Sequence, residues 1–78
     1  MDNPIAYNES LCRVLGIAKS EAGRMGDKSV GTDHVLLGII LDRRNVAVRI
    51  LSSRGVDTDL MRAEIESLPS RGDVEFPV

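Results

Sequence analysis

The feature that most constrains this chain is a run of seven apolar residues, 35–41, with Gly38 at its centre. The run is far shorter than the roughly 20 residues that cross a bilayer, and a helix that is apolar on all sides is surrounded by protein. We therefore predict a central helix over residues 34–42, with Thr32 as its N-cap and Asp33 at the positive end of its dipole. Glycine inside a helix costs about 1 kcal/mol relative to alanine, so Gly38 predicts the close approach of a neighbouring helix.

The segment before this run has the apolar spacing of one amphipathic helix over residues 9–25. Asn8 is a suitable N-cap, and Gly26 supplies the stop. Tyr7 is placed to pack on Cys12 as a hydrophobic staple, so Cys12 is interpreted as a small core or staple residue. The predicted inward stripe consists of Leu11, Leu15, Ala18, Ala22 and Met25.

Two more segments with helical spacing follow, at residues 46–53 and 58–68. Gly55 ends the first of them, Asp57 caps the second, and Pro69 stops it. The predicted inward residues are Val46, Ala47, Ile50 and Leu51 in the first segment and Met61, Ile65 and Leu68 in the second.

Four short helices in a chain of 78 residues predict one compact all-α domain of four to five helices. We assign residues 1–7 to an N-terminal extension and residues 8–68 to the domain. Residues 69–78 have no periodicity and are assigned to a tail or linker.

Composition disfavours several classes of function. With 10 basic and 12 acidic residues and 3% aromatics, the chain lacks the basic surface and the stacking platforms that nucleic-acid binding needs. One cysteine and one histidine are too few for a structural zinc site, so neither a metal nor a cofactor is expected. There is no P-loop motif for nucleotide binding. The start of the chain has no basic segment followed by an apolar run, so we expect a cytoplasmic protein without membrane contact.

Four segments of the chain resemble a known family. Residues 31–40, G-T-D-H-V-L-L-G-I-I, closely resemble the G-T-E-H-I-L-L-G-L-L signature of the Clp N-terminal domain, the repeat at the front of ClpC- and ClpA-type AAA+ unfoldases. Residues 46–51, V-A-V-R-I-L, are similar to the family's V-A-A-R-V-L, and residues 55–57 to its G-V-D. Residues 13–22 follow the R-V-L-x-x-A-x-x-E-A of its first helix. The resemblance covers residues 8–68.

The resemblance implies an all-α half repeat that binds proteins and catalyses nothing. Complete family domains carry two such repeats, and they recruit adaptor proteins or marked substrates to a bacterial unfoldase for proteolysis. Residues 73–78 resemble the segment that leads into a second repeat, so the chain is read either as the first half of a longer domain or as a free-standing half repeat. In the second case a homodimer would cover the exposed face.

The resemblance also implies candidate binding residues. In ClpC-type members, the residues matching Asp33 and Asn8 help form a pocket for phosphoarginine, a degradation mark, and Thr32 lies beside Asp33. A carboxylate binds guanidinium bidentately, and a helix start binds phosphate. The family's Glu is here Asp33, and its Thr is here Asn8. In the next turn, Arg43 and Arg44 replace residues of a glycine-rich loop, and we consider them contacts to an acidic partner or a neighbouring ATPase domain.

Each of these residues also has a purely structural interpretation. Asp33, Thr32 and Asn8 suit helix starts in any protein, and Arg43 with Arg44 suits a solvated turn. Three other functions stay open: a stand-alone accessory or decoy protein without a motor, a small hydrolase using Cys12 and His34, and DNA binding through a helix-turn-helix. The hydrolase lacks an evident third residue or oxyanion hole, and the central helix is too apolar to contact bases.

Overall fold

The computed structural model describes residues 4–68 of the chain. Within that range it contains four α-helices, α1 (Glu9–Arg24), α2 (Thr32–Leu41), α3 (Val46–Ser53) and α4 (Thr58–Ser67). Residues 4–68 include no β-strand, which confirms the predicted all-α class. The predicted stop at Pro69 and the tail that follows it lie outside the described residues.

Helix α2 lies at the centre of the fold, as its apolar sequence predicts. It packs along α1 and also contacts α3 and α4. Leu37 is 0% exposed and Ile40 is 1% exposed, and both join Ile65 of α4 in the core. The helix begins two residues before the predicted position.

The predicted close approach at Gly38 is confirmed. A Cβ atom at this position would lie 2.6 Å from the backbone oxygen of Val14 and 3.3 Å from the backbone nitrogen of Ala18. These contacts bring the backbone of α2 directly against α1. Only a residue without a side chain allows this approach.

The predicted inward stripe of α1 is partly wrong. Ala18 and Ala22 are buried as predicted, but Val14 is the third buried residue, while Leu11 and Leu15 are 37% and 39% exposed. The reason is geometric. Leu11 borders an open groove that Ile39 of α2 and Val46 of α3 also line, so its side chain stays accessible to solvent. Leu15 is rotated by about 100° from Val14, which faces Gly38.

The predicted inward face of α3 is also partly wrong. Val48 is its buried residue, whereas Val46 is 66% exposed and Ile50 is 55% exposed. Successive residues of a helix are rotated by about 100°, so positions two before and two after Val48 point away from the core. In α4, Ile65 is buried and Met61 half-buried as predicted, but Leu68 is exposed at the C-cap.

The ends of the helices agree closely with prediction. Asn8 caps α1 and Asp57 caps α4, each accepting backbone N–H groups with its side chain. Gly26 and Gly55 follow α1 and α3 with φ angles of 76° and 79°, a backbone that glycine adopts without strain. Asn45, which lies in the predicted polar turn, caps α3.

Candidate functional site

The start of α1 carries the first predicted binding residue, Asn8. Its Oδ1 accepts the backbone N–H of Leu11 at 2.9 Å, and the side chain is exposed. Asn8 also lines a groove of about 250 Å³, together with Asn45 and Val46 at the start of α3. The starts of two helices therefore border the same groove.

Thr32 does not cap α2, contrary to the prediction. Gly31 is the N-cap, and Thr32 is the first helical residue, exposed to solvent. The reason is a hydrogen bond in which the Gly31 N–H donates to Nδ1 of His34 at 2.8 Å. His34, three residues after Gly31, takes the part that Glu or Gln plays in a capping box, so the N-cap lies one residue earlier than predicted.

His34 lies buried near the start of α2. It is 1% exposed, and its Nε2 lies 2.7 Å from Oδ2 of Asp27. Because Nδ1 accepts from Gly31, the ring proton is on Nε2 and donates to Asp27. Both ring nitrogens thus form hydrogen bonds within the fold, so neither of them is available to accept a proton from a thiol.

The Asp33 carboxylate is turned back towards the helix start. Its Oδ1 lies 3.6 Å from Nδ1 of His34 and would lie 2.5 Å from a Cβ atom on Gly31. The side chain is 19% exposed. Its negative charge therefore lies at the positive end of the α2 dipole, as predicted.

The candidate amide, Asn8, and the candidate acid, Asp33, lie at opposite ends of α1. Asn8 precedes the first residue of α1, and Asp27 follows its last turn, so about 24 Å of helix separates them. Asp33 lies at the Asp27 end, because His34 contacts both acids. The structure thus brings Thr32 and Asp33 together but keeps Asn8 apart from them.

Cys12 is not a core residue, which was one of the two roles predicted for it. It is exposed on α1, and it lines a surface groove with Tyr7, Glu9 and Arg13. The Tyr7 side chain is itself 71% exposed. Both side chains of the predicted staple therefore lie at the surface.

The turn between α2 and α3 presents Arg43 and Arg44 to solvent. Nη2 of Arg43 donates to Asp59 of α4 at 3.2 Å, in a pair that is exposed on both sides. Nε of Arg44 lies 3.8 Å from Asp42. A pair exposed on both sides, such as Arg43 with Asp59, contributes only about 0–1 kcal/mol, so this guanidinium group can turn to a partner. The Arg44 side chain is 76% exposed, although the Asp42 carboxylate near it is buried.

Beneath this turn lie two buried polar residues that the sequence reasoning did not identify. Asp42 accepts Nε of Arg13 at 3.3 Å, and Asn45 donates to the carbonyls of Ile39 and Asp42, both at 2.8 Å. Asn45 directly precedes the apolar segment of α3, which is an N-cap signal that the sequence offered. Asp42 gives no such signal, because its partner Arg13 is 29 residues away.

At the other end of the bundle, Arg24 joins α1 to α4. Its Nε donates to Glu21 at 2.9 Å, and its Nη2 donates to Glu66 at 2.7 Å. The hydrogen bond and charge of Glu21, followed by those of Glu66, raise the pKa of Arg24 above its usual value. The guanidinium thus forms an ion pair between the end of α1 and the end of α4, at the surface of the fold.

None of the helices within residues 4–68 is long and apolar enough to cross a membrane. The same residues contain no group of three or more His, Cys, Asp or Glu side chains that could hold a metal ion.

Comparison with known proteins identifies the family. Residues 6–77 match the model of the Clp repeat (R) N-terminal domain. The chain is 35% identical over 66 residues to the negative regulator of genetic competence ClpC/MecB of Bacillus subtilis, covering 85% of this chain and 8% of that protein. It is 35% identical over 75 residues to the chloroplastic chaperone protein ClpC2 of rice, Oryza sativa subsp. japonica, covering 91% of this chain and 8% of the relative.

A third relative is named as part of a Clp protease. An ATP-dependent Clp protease ATP-binding subunit ClpA homolog of Guillardia theta is 36% identical over 75 residues, covering 91% of this chain and 9% of the relative. The chain thus spans less than a tenth of the length of each of these curated relatives. The family match covers nearly the whole chain and coincides with the four helices. The chain belongs to the Clp repeat N-terminal domain family.

Proposed function

We propose that this chain is a non-catalytic protein-interaction module of a Clp unfoldase and protease system. The proposal rests on one observation. His34, the only histidine of the sequence, uses both of its ring nitrogens in hydrogen bonds within the fold. Cys12, the only cysteine, is exposed, with its nearest groove lined by Tyr7, Glu9 and Arg13. The histidine thus serves the fold, while grooves and arginines are left for recognition.

The relatives support the Clp context of this proposal. Their names describe a chaperone, a competence regulator and an ATP-binding subunit of a Clp protease. We propose that the chain recruits adaptor proteins or protein substrates for a motor of this kind. We propose the cytoplasm as its compartment in a bacterium; several relatives are chloroplastic.

We further propose that Thr32 and Asp33 recognise phosphoarginine on substrates. A carboxylate accepts a guanidinium bidentately, and the N–H groups at a helix start attract phosphate. Asn8 would contribute to such a pocket only from a second repeat or a second copy of the chain, because α1 separates it from Asp33 by about 24 Å.

The test is an NMR titration of the labelled chain with phosphoarginine, with phosphoserine and arginine as control ligands. We expect saturable chemical-shift changes at Thr32 and Asp33 with phosphoarginine alone. Asp33→Asn should abolish them, and Asp33→Glu should retain them. Shifts that phosphoserine reproduces would refute recognition of the mark.

A matched control variant exists within the chain. Helix α4 begins with Thr58 and Asp59, the same dipeptide as Thr32 and Asp33 in α2, and Asp59 is 80% exposed. Asp59→Asn therefore removes the same charge from the same helical position and should leave phosphoarginine binding unchanged. An equal loss in both variants would show that only the overall charge matters.

A further inference from the structure

A groove separates the middle of α1 from the turn that joins α2 to α3. Its volume is about 700 Å³, and it is open to solvent on one side. Gly16, Ile17 and Leu41 supply its apolar floor. Arg13, Arg43 and Arg44 supply basic groups around it, and we call this the arginine groove.

The floor of the arginine groove depends on Gly16, a glycine inside a helix. Such a glycine costs about 1 kcal/mol relative to alanine, and packing explains it at Gly38, where a Cβ would collide with α1. At Gly16 a Cβ would meet nothing within 4 Å. Packing within the fold therefore does not require this glycine, and a side chain at this position would extend into the groove.

The charges around the groove favour an acidic ligand. Its lining includes two acids, and each is already bound by an arginine: Asp42 by Arg13, and Glu21 by Arg24. The side chains of Arg43 and Arg44 are 66% and 76% exposed. These are the most exposed guanidinium groups of the groove lining, although Arg43 also contacts Asp59 and Arg44 lies near Asp42.

We propose that the arginine groove binds an extended acidic segment of a partner protein. An apolar side chain of that segment lies over Gly16, and flanking carboxylates bind Arg43 and Arg44. Guanidinium groups bind carboxylates through paired N–H donors, which makes acidic peptide the matching chemistry. The inference rests on the proposed function as a protein-binding module, but it concerns a different surface from Thr32 and Asp33.

The experiment is a chemical-shift titration of the complete chain with a short peptide in which glutamates flank a central leucine. We expect saturable shifts at the amides of Gly16, Ile17, Arg43 and Arg44. A peptide with lysines in place of the glutamates should cause none. Raising the salt from about 0.1 M to about 1 M shortens the screening length from roughly 10 Å to 3 Å and should weaken binding.

Two pairs of variants separate the groove from its surroundings. Gly16→Leu fills the floor and should weaken peptide binding by about fivefold or more, while Gly23→Leu, at the other glycine of α1 with open space around it, should stay within about twofold. Arg43→Ala with Arg44→Ala should weaken binding by a similar factor. The charge-matched pair Arg49→Ala with Arg54→Ala lies outside the groove lining and should not.

Each outcome decides the inference. Shifts confined to the groove and lost in the groove variants alone support it. Absence of shifts, equal losses in both pairs of variants, or equal binding of a single-stranded DNA oligonucleotide would overturn it. Phosphoarginine binding without peptide binding would refute this inference alone. Peptide binding without phosphoarginine binding would refute only the proposed recognition of phosphoarginine.

Discussion

At the scale of single residues, the glycines inside the helices have opposite roles, although all of them have a helical backbone. Gly38 lies against the Val14 carbonyl, so its missing side chain lets two helices touch. Gly16 and Gly23 lie in open space on α1. A substitution at one site must therefore disturb packing, while at the others it mainly improves helix propensity.

We predict that Gly38→Ala destabilises the domain by about 1–3 kcal/mol, because its Cβ would lie 2.6 Å from a backbone oxygen that cannot move without α1. Urea denaturation followed by circular dichroism measures this loss. Gly23→Ala is the control and should be neutral or stabilising by up to about 1 kcal/mol. Equal stabilities for the two variants would refute the close helix contact.

The contact at Gly38 was predictable from sequence, because a costly glycine in an apolar helix needs a neighbour to explain it. The cap of α2 was not. Gly31 and Thr32 are both acceptable N-caps, and the choice between them depends on His34, whose ring is held by Asp27 from the preceding turn. Such a contact between turns leaves no periodic trace in the sequence.

At the scale of elements, the short helix α3 depends on its cap. With eight residues it is too short to be stable alone. Asn45 is 5% exposed and forms three hydrogen bonds of 2.8 Å, to the N–H of Val48 and to the carbonyls of Ile39 and Asp42. The same side chain thus starts α3 and ties it to the end of α2.

We predict that Asn45→Ala costs about 2–4 kcal/mol, because it removes a helix cap and leaves buried carbonyl groups without their donor. Asn8→Ala removes an exposed cap and should cost only about 0.5–1 kcal/mol. Thermal unfolding of the two variants beside the parent measures the difference. If both asparagines cost the same, the buried bonds of Asn45 contribute nothing.

The predicted helix segments of this fold were close to those observed, but the faces they bury were less predictable. Caps and glycines lie beside the helices they delimit, so local chemistry sets those ends. The buried face depends on how far a neighbour reaches. Leu11 fits the apolar stripe of α1 yet stays exposed, because it borders an open groove beside Ile39 of α2 instead of a filled core.

At the scale of the whole molecule, the arrangement of candidate residues reflects the length of α1. Asn8 and Asp33 are both parts of helix starts, but they lie at opposite ends of this helix. The sequence identified each residue from its resemblance, and only the fold shows their separation. In the function we propose, a phosphoarginine pocket that used both residues would therefore need a second repeat or a second copy of the chain.

The stability of the whole molecule depends on very few buried side chains. Leu37 of α2 is 0% exposed and contacts the core that Ile40 and Ile65 complete. Truncation of a buried leucine costs about 2–5 kcal/mol, which approaches the entire stability of many small domains. We therefore predict that Leu37→Ala unfolds much of the population at room temperature.

Thermal denaturation tests this prediction, because 1 kcal/mol corresponds to about 4–8 °C in a domain of this size. We expect the melting temperature of Leu37→Ala to fall by at least about 8 °C. Leu60→Ala is the matched control, since Leu60 is 68% exposed and its truncation leaves no cavity in the core. A melting temperature within a degree or two of the parent for Leu37→Ala would contradict the central position of α2, on which the placement of every binding surface depends.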